Sequence, residues 1–300
     1  MKKKFGEAER YILGLFEKGM SFQWKDEIFY VDFSGKPTCY KGEPKTDIYV
    51  RAVSEQRHYL ELKISFKKAN ADFLENKMSA ERAEEIFGET WMEDIQRATK
   101  GIAERFASRP LIYKTEGKRT QTGSITMGWK FEFVNKANGQ LSGDMNLSMG
   151  QIVDIYAGTH LPQDKRDAQV GNRVIPDSGV ANCFLIEDEE KPINTLQDAV
   201  NQLVDIRQYV QEHPHVYFAC KALNYRSFAD RYDGNRPLSV YVDWHCHNGK
   251  LGYRLCFDEP LIMKGNAAYR KLRQALQEVG AKTTNDLNES NVENSAIILE

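Results

Sequence analysis

The side chains best placed to do chemistry are Asp47, at the head of one β-rich run, and Glu61 and Lys63, two positions apart in the next. In Leu60-Glu61-Leu62-Lys63-Ile64-Ser65-Phe66, strand alternation puts the four apolar residues on one face and Glu61, Lys63 and Ser65 on the other. Spacing alone carries little, because Glu-x-Lys occurs five times, starting at Glu43, Glu61, Glu75, Glu116 and Glu189. Strand context singles out one of them. With Ser54 to Arg57 read as a hairpin turn, antiparallel pairing sets Asp47 opposite Lys63 or Ile64 and within about 8 Å of Glu61. Two carboxylates beside an ammonium suit a hard divalent cation such as Mg²⁺, which takes one or two carboxylates together with waters and phosphate oxygens. The lysine is then free to orient or deprotonate a water. The bland alternative is a solvated hairpin face whose charges merely pair, worth about 0–1 kcal/mol.

The surrounding elements follow from periodicity. Phe5, Ala8, Ile12, Leu15 and Phe16 recur at helical spacing and Gly19 closes a helix over 5–18. Strands are expected at Ile28 to Phe33, Asp47 to Val53 and Arg57 to Phe66, and helices from Ser79 to Phe106 with a break at Gly88. Further on, Ser124 to Val134, Val216 to Ala222 and Leu238 to His247 read as strands, and Asn248-Gly249 as a hairpin turn into Gly252 to Phe257. Thr195 to Val210 and Ala267 to Val279 read as helices. Glu9 interrupts the apolar stripe of the first helix, which makes it either a second acid of the same centre or a stripe-edge partner of a lysine.

The order of helix, strand, hairpin carrying Asp and then Glu-x-Lys, and following helix resembles the PD-(D/E)xK nuclease superfamily, with its restriction-endonuclease-like fold. The matching residues are Pro44-Lys45-Thr46-Asp47 and Glu61-Leu62-Lys63, with Thr46 standing where the family has its proline. The resemblance covers roughly the first 115 to 135 residues. It implies an α/β chain whose core is a mixed central sheet flanked by helices, extended by a C-terminal α/β region. By the same resemblance Asp47, Glu61 and the Leu62 carbonyl, with Glu9 as an added acid, hold Mg²⁺ or its substitute Mn²⁺, and Lys63 positions the attacking water. The implied activity is endonucleolytic hydrolysis of DNA, as in a type II restriction enzyme or a phage or defence nuclease. Substitution of Asp47, Glu61 or Lys63 is expected to abolish it. The alternatives are a non-catalytic nucleic-acid-binding protein on the same fold, and a structure-selective or RNA-directed nuclease.

On this reading 1–136 is the nuclease core, 137–280 an α/β region for DNA recognition or dimerisation, and 281–300 a flexible acidic tail, with Lys282 against Asp286, Glu289, Glu293 and Glu300. Double-stranded DNA is the expected partner and a homodimer the expected assembly. Basic residues gather at Lys67 and Lys68 and in 109–136, where Lys114, Lys118, Arg119, Gln121 and Lys130 are candidate DNA contacts. Lys165, Arg166, Arg173, Arg226 and Arg236 join them, although charged loops are more often simply solvated.

Composition sets outer limits. Forty-one basic residues nearly cancel 43 acidic ones, so polyanion binding has to come from local clusters. Five widely spaced cysteines suit reduced thiols, and no apolar leader or spanning run is visible, which together predict a cytoplasmic chain of a bacterial or phage-infected cell with no membrane contact. His245-Cys246-His247 lacks the spacing of a zinc site, because the strand turns Cys246 away from the two histidines. No Walker loop, GxGxxG or GxSxG is present.

Overall fold

The computed structural model describes residues 5–40, 42–68, 73–76, 78–188 and 190–300. The chain is mixed α/β and divides into two compact units, Met1–Asp72 with Leu147–His215, and Phe73–Asn146 with Val216–Glu300. This corrects the division at residue 136. Each unit is built from two separate stretches, because strands distant in sequence complete each other's sheets.

The first unit carries a six-stranded mixed sheet, ordered Ser21–Trp24, Glu27–Gly35, Ile48–Ser54, Tyr59–Lys68, Cys183–Glu187, Leu203–Asp205. Only the pair Tyr59–Lys68 and Cys183–Glu187 is parallel. The helix Phe5–Leu15 lays Ala8 and Ile12 on one face of this sheet, with Phe16 following, against Ile48, Val50, Leu62, Ile64 and Phe66. Leu196, Ala199 and Val200 of the helix Leu196–Asn201 cover the same face. The other face carries Tyr49, Glu61, Lys63, Ser65 and Lys67. At the parallel strand that face is closed by Phe184, packed edge-on against Tyr156 and Tyr209 with ring centroids 5.2 and 5.1 Å away. Tyr156 comes from the helix Met149–Ala157 and Tyr209 from Ile206–Glu212.

The single helix expected over Thr195 to Val210 is instead two helices separated by the strand Leu203–Asp205. Two local effects outweigh the helical periodicity. Leu203 and Val204 add an antiparallel edge to Cys183–Glu187, and the Asp205 carboxylate accepts the Arg207 and Gln208 N–H groups, starting a new helix.

In the second unit the strand Ser124–Val134 lies between Tyr217–Arg226 and Val240–His247. Val240–His247 turns back through Asn248 and Gly249, both at positive φ (51° and 74°), into Lys250–Cys256, as the Asn-Gly pair predicts. The helix Gly265–Glu278 packs on Val240–His247. The helical stretch before it runs as Ala80–Phe87, Trp91–Lys100 and Ala103–Ala107, broken at Gly88. Phe106 meets Trp129 with ring centroids 4.9 Å apart. The C-terminal residues correct a second expectation: they are docked. Leu287, Val292 and Ile297 are buried, and Ile298–Leu299 pairs in parallel with Ile112–Tyr113. The acidic composition of this stretch hides an apolar set large enough to tie it down. Among the described residues no helix is long and apolar enough to cross a membrane.

Candidate functional site

One turn decides which side chains meet. The hairpin between Ile48–Ser54 and Tyr59–Lys68 has a three-residue loop: the Ser54 N–H donates to the His58 carbonyl (3.0 Å), and Arg57 sits at φ 65°. That loop sets Ile48 opposite Ile64, Tyr49 opposite Lys63 and Arg51 opposite Glu61. The same register carries Asp47 to Ser65, and the Asp47 N–H donates to the Ile64 carbonyl at 2.8 Å. The expected pairing of Asp47 with Lys63 or Ile64 is therefore off, because the loop is one residue longer than the turn assumed. Asp47, just ahead of Ile48–Ser54, is shifted along the sheet. Glu61 then lies four positions, or about 13 Å of strand, from the Asp47 rung, which corrects the expected 8 Å.

What surrounds Asp47 is a different set of groups. Its Oδ2 accepts the Phe66 N–H at 2.8 Å. Burial pushes its carboxyl up to about 6, against the pull of the Lys67 ammonium, the Phe66 N–H and Lys36, and Glu9 adds to the rise. Glu9 is 6% exposed on the first helix and holds the Lys36 ammonium at 2.6 Å. Ser65, on the Asp47 rung, is 1% exposed, and its Oγ has no hydrogen-bond partner among the described residues; nor has the adjacent Thr46 Oγ1. Asp47, Glu9, Lys36 and Lys67 thus form one electrostatic neighbourhood, with Ser65 on the Asp47 rung. The main chain entering it is clamped, since the Lys45 and Thr46 N–H groups both donate to the Gly179 carbonyl (3.0 and 3.2 Å). Gly179 is needed there, because a Cβ would stand 1.8 Å from the Lys165 carbonyl oxygen.

The other residues singled out by spacing serve different ends. Glu61 accepts a hydrogen bond from the Tyr49 hydroxyl, whose pKa is raised by burial and then by this carboxylate. The Lys63 backbone is fixed by Asn182: its N–H donates to Asn182 Oδ1 (2.8 Å) and its carbonyl accepts the Asn182 N–H (2.9 Å). Leu62 is paired with Val50, three positions before the Ser65 rung, so its carbonyl is not at the Asp47 level. Sequence reasoning missed Lys36 and Ser65 and named Lys67 only as a DNA contact. The findable signal was Ser65-Phe66-Lys67, which repeats the polar-x-Lys alternation of Glu61-Leu62-Lys63 four residues further from the turn.

Several candidate DNA contacts are engaged internally. Arg166 pairs with Asp177 (2.7 Å), Arg226 with Asp233 (3.0 Å), Lys114 with Glu300 (2.8 Å) and Lys130 with Glu132 (3.8 Å). Arg173 lies over the Phe33 ring at 5.9 Å. Lys118, Arg119 and Gln121 are exposed in the loop before Ser124–Val134, and Arg236 is exposed before the helix Gly265–Glu278; none of these three cations has an ion pair among the described residues. Lys165 is part-buried, and the Lys68 side chain lies outside what is described.

Two other chemistries find little support. Burial pushes the Cys183 and Cys220 thiols up to about 12, away from the nucleophilic thiolate. His247 Nδ1 lies 3.3 Å from Glu293 Oε1, yet no group of three or more His, Cys, Asp or Glu side chains fit to hold a metal ion is assembled among the described residues. No family model matches the chain, no curated protein matches it, and no solved structure matches its fold.

Proposed function

We propose that this chain is a Mg²⁺-dependent endonuclease acting on double-stranded DNA, with its working centre at Asp47, Glu9, Ser65 and Lys67. The observation that carries the reading is the Asp47 rung itself: a desolvated carboxylate beside a second buried carboxylate, an orphaned hydroxyl and a lysine on the same strand. The donor set fits a hard cation, since Mg²⁺ is content with one or two carboxylates and fills its remaining positions with water and phosphate oxygens. Glu9 and Asp47 would hold it, and Mn²⁺ would substitute. Bound there, the metal supplies Lewis-acid charge for hydrolysis of a phosphodiester.

The chain's own groups have definable tasks. The Phe66 N–H fixes the Asp47 carboxylate, leaving its other oxygen free of that bond. Lys67 presents positive charge to the same locus, suited to offset charge that builds on a phosphate under attack and to orient a water. The Ser65 hydroxyl, without a partner of its own, is available to a water or a phosphate oxygen. Cutting both strands of a duplex calls for two such centres, so a homodimer belongs to the proposal, as does target contact through Lys118, Arg119 and Gln121 on the second unit.

The test is incubation of supercoiled plasmid and bacteriophage DNA with the purified chain in Mg²⁺ or EDTA, beside Asp47→Asn, Lys67→Ala and Lys63→Ala. Mg²⁺-dependent fragments that vanish in Asp47→Asn and Lys67→Ala and persist in Lys63→Ala support both activity and centre. Loss in Lys63→Ala with activity kept in Lys67→Ala would return the centre to Glu61-Leu62-Lys63. Absence of DNA cleavage by the parent chain overturns the proposal, and RNA cleavage in its place identifies the other substrate.

A further inference from the structure

The Glu9–Asp47 locus already contains a cation. Glu9 is buried, with 8% of its side chain exposed, and a buried carboxylate is stable only when paired. Lys36 pairs with it from the chain just past Glu27–Gly35, its ammonium 2.6 Å from Glu9 Oε1, and acts electrostatically on Asp47 as well. The two partners differ in solvent access, because the Lys36 side chain is 54% exposed. Its long stem lets the ammonium move into water once another cation takes its place at Glu9, which is fixed on its helix. Lys67 differs again: it is held on the central strand, part-buried, and acts on Asp47.

We propose that Lys36 is a resident counter-cation that a divalent metal has to displace from Glu9, so that this lysine sets the metal concentration at which the site fills. The inference rests on the reading of Glu9 and Asp47 as metal ligands. A metal–oxygen bond at Glu9 Oε1 and an ammonium contact to that same oxygen place two cations within a few ångströms, where their repulsion is strong in a partly desolvated site. Metal binding and the Lys36–Glu9 pair are therefore linked and opposed. The Ser65 hydroxyl on the Asp47 rung is likewise without a partner among the described residues, as in a site whose ligand set is completed only when the metal arrives.

Mn²⁺ binding read by electron paramagnetic resonance, in the absence of DNA, separates displacement from a purely structural role. If Lys36 only stiffened Glu9, its removal would weaken metal binding; if it competes, removal strengthens it. Lys36→Met and Lys36→Gln, each checked for folding by thermal melting, are expected to bind Mn²⁺ about tenfold or more tightly than the parent chain. Lys36→Arg, which keeps the charge, is expected to bind no better than the parent. Unchanged or weaker Mn²⁺ binding in Lys36→Met and Lys36→Gln, while Asp47→Asn and Glu9→Gln both lose it, overturns the role of Lys36 and leaves the metal site standing. Absence of Mn²⁺ binding in the parent and both Lys36 variants overturns the metal site and the inference together.

Discussion

Asp47→Asn should stabilise the metal-free chain at alkaline pH, and the size of the gain can be worked from its surroundings. Burial lifts the carboxyl from 3.8 to about 6, so the folded chain holds this proton more tightly than the unfolded chain does. A group whose pKa is raised on folding contributes fully below its unfolded value, near pH 4, and its contribution is lost as the pH rises through 6. Two pKa units correspond to about 3 kcal/mol, at about 1.4 kcal/mol each, which ionised Asp47 costs the fold at pH 8. Asparagine keeps an oxygen to accept the Phe66 N–H but carries no charge. Urea titration in EDTA should therefore show Asp47→Asn more stable than the parent by about 3 kcal/mol at pH 8, with the difference closing toward pH 4. In melting terms the gain is roughly 6–12 °C at two to four degrees per kcal/mol. Saturating Mg²⁺ should reverse the order, because only the parent offers a carboxylate there. Equal stabilities at pH 8, or a gain independent of pH, would refute the desolvation of Asp47 on which the site is built.

Other expectations are smaller in scope. Gly179→Ala should destabilise the chain by about 1–3 kcal/mol or more and depress cleavage, since a Cβ meets the Lys165 carbonyl and shifts the oxygen that holds Lys45 and Thr46; chemical denaturation and plasmid nicking measure both. Ile297→Ala, read by thermal melting, should cost about 2–4 kcal/mol, whereas a loose tail would show no change. Replacing Lys118 and Arg119 together by alanine should lower DNA affinity and flatten the log–log salt dependence by roughly two contacts; an unchanged slope removes this loop from the DNA interface.

Much of the fold was legible because the physics that made it was local. The alternation of Leu60, Leu62, Ile64 and Phe66 against Glu61, Lys63 and Ser65 defines a strand, and burial follows that pattern from Glu61 to Ile64 but not at Ser65, which is buried as well. Asn248-Gly249 specified its turn for the same reason. Glu9 stood out as an acid on an apolar stripe, and it is indeed buried and paired. What stayed hidden depended on long-range partners or on a single loop residue. Whether Asp47 meets Lys63, Ile64 or Ser65 turns on the left-handed conformation of Arg57, which its residue type does not announce. Lys36 became visible only when the strand it follows was laid beside the first helix. The strand Leu203–Asp205 sits inside a helical period and exists because Cys183–Glu187 offers it an edge. The docking of Ile297 and Leu299 depends on a strand 186 positions earlier, Ile112–Tyr113, beyond the reach of local composition.

The interleaving of the two units has a consequence for how the chain is made. Lys67 stands on a strand whose parallel neighbour, Cys183–Glu187, is synthesised more than a hundred residues later, and the Gly179 carbonyl that anchors Lys45 and Thr46 is almost as late. At ~5–20 residues per second on a ribosome, several seconds pass in which Asp47 and Lys67 exist on a sheet with an open edge and an unanchored entry. An exposed edge of that kind is a hazard for aggregation. It is also a period in which the surroundings of Asp47 are incomplete, and it ends only when residues 179–187 have emerged, with more than a hundred residues still to be made.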